Sequence, residues 1–288
     1  MYMPEPARSP RVSVIVTCYN LGRYLDEAIA SISAQSLPQF EIVVVDDGST
    51  EPATKKILDG LASPKTRVLR TANRGLAGAR NAGIEAAGGN FILPLDADDK
   101  IAPSYLEKAA HLLETDPELG IVYCRASFFG AKRGRWRLPE YNFPEILLHN
   151  MIFCSAMFRK TDWERTAGYK TNMAKGWEDY DFWLSLIELG RQVHCIPETL
   201  FFYRQRADSM AHAMTQEDIA EGYAMLFHNH SRLYEKNMGA LLRDSSAKVR
   251  QLYRLNNLLA ATGLPAVGRT WSRLKEKPNL RRGRPQGR

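Results

Sequence analysis

Four short aliphatic runs punctuate the first hundred residues, and what separates them restricts the chain to few folds. VSVIVT (Val12 to Thr17), EIVVVD (Glu41 to Asp46), RVLR (Arg67 to Arg70) and FILPL (Phe91 to Leu95) are rich in β-branched residues and lack helical spacing, so each reads as a strand. The intervals read as helices. Leu25, Ile29 and Ile32 recur at helical spacing between Tyr24 and Gln35, a second helix is expected near Ala53 to Leu61, and a third runs from Leu76 to Ala87 before Gly88 and Gly89 end it. Strands alternating with helices predict an α/β domain: a mostly parallel sheet with helices on both faces and right-handed crossovers.

The same reading continues with a helix at Pro103 to Glu114, a strand at Gly120 to Cys124 and a loop-rich stretch from Phe128. A strand near Phe153 to Arg159, a helix from Thr161, a helix from Glu178 to Leu189 and a strand over ETLFFYRQR (Glu198 to Arg206) follow. From Thr215 the pattern changes to long helical stretches, Gln216 to Glu235 and Gly239 to Ala261, expected to form a C-terminal helical appendage. The organisation expected is an N-terminal tail (1–10), the α/β domain (11–212), C-terminal helices (213–262) and a flexible basic tail (263–288).

Carboxylates gather where the strands end. Asp46 and Asp47 close the second strand, and Asp96, Asp98 and Asp99 close the fourth. In open α/β sheets ligands bind beyond the carboxyl ends of the strands, so Thr17 and these aspartates share one rim. Clustered carboxylate oxygens suit a hard cation such as Mg2+ or Mn2+, whose remaining shell is water and substrate phosphate. A polar turn is the plainer reading of either cluster alone. LDADDK lacks the glycine and glutamate of an EF-hand loop, and neither G-x-G-x-x-G nor G-x-x-x-x-G-K-[ST] follows the first strand. A nucleotide here has to be held by carboxylates, metal and arginines.

Two further stretches bear on the rim. NRGLAGARNAG (Asn73 to Gly83) offers glycines, a helix N-terminus and Arg74 and Arg80 to an anion, or else simply packs a helix on the sheet. In GWEDYDFWLSL, a buried face of Phe182, Trp183, Leu186 and Ile187 puts Glu178 and Asp179 at the helix entrance. There they cap the helix, or one of them accepts a proton from a hydroxyl nucleophile. Trp177 floors a sugar site or fills core.

Composition sets outer limits. The 288 residues are 44% hydrophobic, enough for a real core, but no apolar run approaches the roughly 18 residues of a membrane span. The N-terminus, MYMPEPARSPR, has no apolar signal region, so a cytoplasmic location is expected. Cys18, Cys124, Cys154 and Cys195 are widely spaced among apolar neighbours, as buried thiols would be. The net charge of +7 resides in the tail: from Gly263 onward eight basic residues face one acid, Glu276, so the remainder is neutral. Such a tail suits peripheral contact with an anionic membrane at its inner face, or plain solvation. No nucleic-acid motif accompanies it.

Together VSVIVTCYN, EIVVVDDGST, NRGLAGARNAG, LDADD and WEDYDFWL, in this order, resemble the inverting nucleotide-sugar glycosyltransferases of family 2, whose fold is the Rossmann-like GT-A type. The resemblance spans residue 11 to about 205. It implies that Thr17 and Tyr19 line the nucleoside pocket, that Asp47 or Asp46 accepts the base N–H, and that Arg80 lies near the diphosphate. Asp96, Asp98 and Asp99 match the D-x-D element for ribose and metal, with Asp98 the first choice of ligand and Asp99 next. Asp179 matches the catalytic base and Glu178 the acid before it. The implied activity is metal-dependent transfer of a sugar, hexosyl in kind, from a nucleotide-diphosphate sugar to a saccharide or lipid-linked acceptor hydroxyl, with inversion, in cell-surface polysaccharide or glycolipid synthesis. One departure stands out: YRQRADS places Arg206 where many members carry a histidine, and an arginine there contacts the diphosphate instead of a metal. The alternatives are a sugar-phosphate nucleotidyltransferase, which wants a Gly-rich, Arg-bearing first loop where this chain has CYNLGRY, and a non-catalytic nucleotide-sugar binding module, which would dispense with Asp179 or the D-x-D carboxylates.

Overall fold

A computed structural model describes residues 9–61, 63–206 and 214–261. The basic tail at 263–288 and most of the N-terminal tail lie outside the described residues. The first half follows the alternation: β1 (Val12–Cys18), α1 (Gly22–Ser33), β2 (Phe40–Asp46), α2 (Pro52–Asp59), β3 (Thr66–Arg70), α3 (Gly75–Ala86) and β4 (Phe91–Asp96). All seven residues of β1 are buried, as in a parallel strand covered on both faces. Its neighbours are β2 and β4, both parallel, with Thr17 opposite Val45 on one side and Asp96 on the other.

The strand order β3-β2-β1-β4 reverses direction at β1. Right-handed crossovers then carry α1 and α2 over one face and α3 over the other, and the loops leaving β1 and β4 part at their carboxyl ends. That parting opens the crevice in which the carboxylate rim sits.

Beyond β4 the sheet is mixed, its order continuing β8-β6-β9-β5 with β7 beside β6. These strands are β5 (Lys100–Ile101), β6 (Leu119–Gly130), β7 (Gly134–Trp136), β8 (Met157–Arg159) and β9 (Gln192–Gln205), interleaved with α4 (Tyr105–Thr115), α5 (Lys160–Arg165) and α6 (Glu178–Glu188). β6 and β9 run parallel, whereas β8 is antiparallel to both β4 and β6. Both long strands outrun their expected bounds, because their outer halves are only partly buried and carry no continuous apolar run. Register shifts at Arg125 bend the pair. The strand expected from Phe153 shrinks to β8, and β5 and β7 are too short to show in the sequence.

The C-terminal helices are α7 (Gln216–Asn229), opened by a Thr215/Asp218 capping box, and α8 (Ser231–Ala261). They break at His230 and not near Gly239, which the second helix runs through. The chain forms two compact units, one ending at Glu235 and the other starting at Lys236. Among the described residues, no helix is long and apolar enough to cross a membrane.

One glycine fixes how closely α3 lies on the sheet. A Cβ on Gly83 would stand 2.4 Å from Ile15 Cγ2 and 2.9 Å from Val45 Cγ2, both on fully buried β-branched side chains that cannot turn aside. Gly83→Ala is therefore expected to destabilise the protein by about 1–3 kcal/mol despite alanine's better helix propensity, measured as a lower urea midpoint.

Candidate active site

At the end of β1 the Thr17 hydroxyl donates to Asp96 Oδ1 at 3.1 Å, tying the two switch-point strands together. The two aspartates after β2 diverge. Asp46 Oδ1 accepts the Ser49 N–H at 2.9 Å and its other oxygen lies 3.9 Å from Arg70 Nε, so it builds the turn and does not reach the crevice. Asp47 Oδ1 accepts the Arg74 N–H at 2.8 Å and the Thr71 hydroxyl at 3.2 Å, and its side chain lines the crevice. Of the pair, only Asp47 lines the cleft.

The crevice is a cleft of about 850 Å³. Thr17, Tyr19, Asp47, Arg80, Asp96, Asp98, Trp177, Glu178, Asp179 and Arg206 all line it, whereas Asp46 and Asp99 do not. Residues more than 130 positions apart in sequence thus converge on one space.

Arg80 is bound differently from the sequence expectation. It is 1% exposed and bridges the Glu178 carboxylate and Asp96 Oδ1, the latter at 3.0 Å, with Tyr169 beneath its guanidinium at 5.5 Å. Burial would favour losing the charge, but the flanking carboxylates hold the guanidinium's pKa well above its ordinary value. Both terminal nitrogens of Arg80 join α3 to β4 and α6, while its Nε is buried without a hydrogen-bond partner and its side chain still lines the cleft. Its replacement by methionine would strand Glu178 in the interior without a partner. Arg80→Met is expected to cost about 3 kcal/mol in urea unfolding.

After β4 the LDADD turn is held from behind by β9. The Arg204 N–H donates to Asp99 Oδ1 at 2.8 Å, and Arg204 Nε donates to the Asp98 carbonyl at 2.8 Å. Asp99 is turned inward, and its Oδ2 is buried without a hydrogen bond. Burial, reinforced by Asp98 and Asp96, pushes its pKa well above the carboxylate range. Asp98 faces the cleft with Oδ2 2.8 Å from Arg206 Nε; burial and Asp96 raise its pKa while Arg206 opposes the rise. Asp96, Asp99 and Cys154 bring three ligand atoms within 4.8 Å of one another. Burial keeps the Cys154 thiol protonated, so the usable donors are the hard carboxylates, and the unsatisfied Asp99 oxygen is what a small divalent cation would satisfy.

α6 delivers the remaining acids. Trp177, its N-cap, sits at φ 67°, a left-handed conformation that costs a bulky residue about 1–3 kcal/mol and places the indole on the cleft against Tyr223 at 4.8 Å. Asp179, half-buried in the first turn, accepts the Tyr180 N–H at 2.7 Å with one oxygen. Burial first, and Glu178 second, raise its pKa to about 7. Two residues on, Asp181 is fully buried on His230, with Nε2 to Oδ1 at 3.1 Å, and on Asn229 at 2.7 Å. His230 also meets Glu188 at 3.0 Å. Burial disfavours its charge, yet the two carboxylates raise its pKa.

Several participants escaped the sequence reading. Arg204, within YRQR, braces the LDADD turn, and Cys154 closes the acidic cluster. Phe128, Trp136 and Tyr203 line the cleft from the sheet's mixed half. Arg204 had a visible signal, since a second arginine stood two positions before Arg206; the others depend on sheet pairing. Of the four cysteines Cys18 and Cys124 are fully buried, Cys154 is half-buried with its thiol enclosed, and Cys195 is exposed because its stretch of β9 is not covered.

Comparison with known proteins shows the family and the fold. The family model for glycosyl transferase family 2 matches residues 13–180, well over half of the chain. A putative glycosyltransferase, EpsE, of Bacillus subtilis is 31% identical over 69% of this chain and 75% of its own length. The chondroitin synthase of Escherichia coli is 29% identical over 65% of this chain, which spans only 28% of that longer protein. The S. aureus TarS 1-349 structure, solved in complex with UDP-GlcNAc, superposes with a TM-score of 0.61 at 21% identity over 76% of this chain and 66% of that one. The matched segment runs from β1 into the turn bearing Glu178 and Asp179, and with that the chain belongs to glycosyltransferase family 2.

Proposed function

We propose that the chain is an inverting glycosyltransferase that moves a sugar from a nucleotide-diphosphate sugar to an acceptor hydroxyl in polysaccharide or glycolipid assembly. One observation carries this reading: a carboxylate with a pKa near 7, Asp179, lines the same cleft as the nucleotide-side acids Asp47, Asp96 and Asp98. A general base is most effective when its pKa lies near working pH. The nucleotide sugar bound to TarS and the polymer after which the chondroitin synthase is named support the choice of donor and of product class.

In this reading the nucleoside lies over β1 and β2, between Tyr19 and Asp47, and Arg206 turns from Asp98 toward the diphosphate. Asp96 and Asp99, with Asp98 at the cleft edge, are the residues that would hold Mg2+ or Mn2+. When bound, such a cation neutralises charge on the departing diphosphate. Asp179 takes the proton of the acceptor hydroxyl, whose oxygen attacks the anomeric carbon as the bond to the diphosphate breaks on the opposite face. Glu178, paired with Arg80, offsets the lowering effect of that guanidinium on the pKa of Asp179. The retained carboxylates speak against a non-catalytic binding module, and CYNLGRY against a nucleotidyltransferase.

Three measurements test the reading. Thermal-shift screening of nucleotide sugars should find one that stabilises the protein with Mg2+ or Mn2+ present, and Asp98→Ala should weaken that binding. Asp179→Asn should lower kcat by about 10³-fold while calorimetric donor affinity stays near wild type. Because the ionised base is the active form, kcat/KM for the acceptor should climb with pH and level off above about 7. Wild-type turnover by Asp179→Asn would sink the assignment.

A further inference from the structure

The nucleotide-side residues occupy one end of the cleft, and the other end is aromatic. Phe128 on β6 and Trp136 on β7 stack at 5.2 Å, Tyr203 on β9 lies 5.0 Å from Trp136, and all three line the cleft half-buried. Trp136 is backed by Phe153 at 6.2 Å, itself stacked on the fully buried Phe201 at 4.4 Å. The platform is therefore rigid from behind. In the sheet order β1 and β6 are three strand spacings apart, roughly 14 Å. A diphosphate and donor sugar would fill the space between the two ends.

The hairpin carrying this platform is charged out of proportion to the body of the chain. KRGRWR places Lys132, Arg133, Arg135 and Arg137 around Trp136, whereas residues before 263 balance to zero. All four are exposed, and among the described residues none of them forms an ion pair. Lys132 Nζ stands 5.1 Å over the ring of Phe128, which lines the cleft, and Arg133 follows it at the hairpin tip just before β7. Arg135 and Arg137 alternate with Trp136 and so belong to the reverse face, where they add to the field without touching a ligand on the platform.

We infer that the β6–β7 hairpin is the acceptor subsite and that the acceptor is an anionic saccharide, bearing carboxylate or phosphate. The apolar side of a sugar ring packs against the parts of Trp136, Phe128 and Tyr203 that line the cleft, while Lys132 and Arg133 at the adjoining tip meet the negative substituent. A neutral acceptor would leave these cations without a use. The inference rests on the glycosyltransferase reading above, since it is Asp179 in the same cleft that makes a bound saccharide an acceptor.

The test uses the full chain on an array of matched neutral, carboxylated and phosphorylated glycans, with nucleotide-sugar binding measured on the same preparations. Acidic glycans should be retained about tenfold more tightly than their neutral counterparts at low salt, and the preference should fade as salt is raised. Lys132→Ser/Arg133→Ser should abolish the preference, and Trp136→Ala should weaken retention of every glycan. Equal retention of neutral glycans, or a preference that survives the double variant, overturns the inference while leaving the donor reading intact. Tighter binding to phosphatidylglycerol vesicles or to single-stranded oligonucleotides through the same residues overturns it too, assigning the hairpin to a membrane or a nucleic acid. A chain that binds no nucleotide sugar overturns both readings.

Discussion

A single guanidinium, buried beneath the cleft, ties together the elements that carry its acids. Arg80 projects from α3 between Asp96 at the carboxyl end of β4 and Glu178 at the entrance of α6, so three elements meet on one positive charge. Without it the acids of β4 and α6 would repel in a medium where water screens little. The arrangement also grades the acids by environment. Glu178 has a direct partner, whereas Asp179 next to it has burial and a like charge, and its pKa rises to about 7. One residue of separation thus divides a structural carboxylate from one suited to proton transfer.

The same division of labour recurs in the LDADD turn. Asp99 faces inward to the Arg204 backbone and Asp98 faces the cleft toward Arg206, so adjacent aspartates serve opposite sides of one turn. The arginines of β9 are therefore as much a part of the acidic site as the acids. They supply fixed positive charge behind and beside a cluster that would otherwise resist assembly.

Much of this was legible beforehand because it follows from period and position. Buried parallel strands announce themselves as unbroken β-branched runs, and the carboxyl ends of such strands are where ligands bind, so Thr17, Asp47, Asp96 and Asp98 were placed on one rim by simple counting. The fate of individual side chains was not legible. Asp46 and Asp47 are chemically identical neighbours, and only the turn geometry sends one to Ser49 and the other to the cleft. Arg80 was expected at the diphosphate because its counter-ion Glu178 lies 98 positions away, beyond any local pattern. The aromatic end of the cleft depends on β6, β7 and β9 coming together, and β7 is three residues long.

The corner between α7 and α8 carries a consequence for how such proteins can be recombined. His230 and Asn229 reach back to Asp181, which is wholly enclosed and two residues from Asp179. A chimera that kept residues up to 212 and borrowed foreign helices thereafter would leave that aspartate with Lys170 as its remaining cation. Donor machinery and C-terminal helices are therefore not freely interchangeable cassettes: whatever sequence replaces the helices must bring its own imidazole to the same corner.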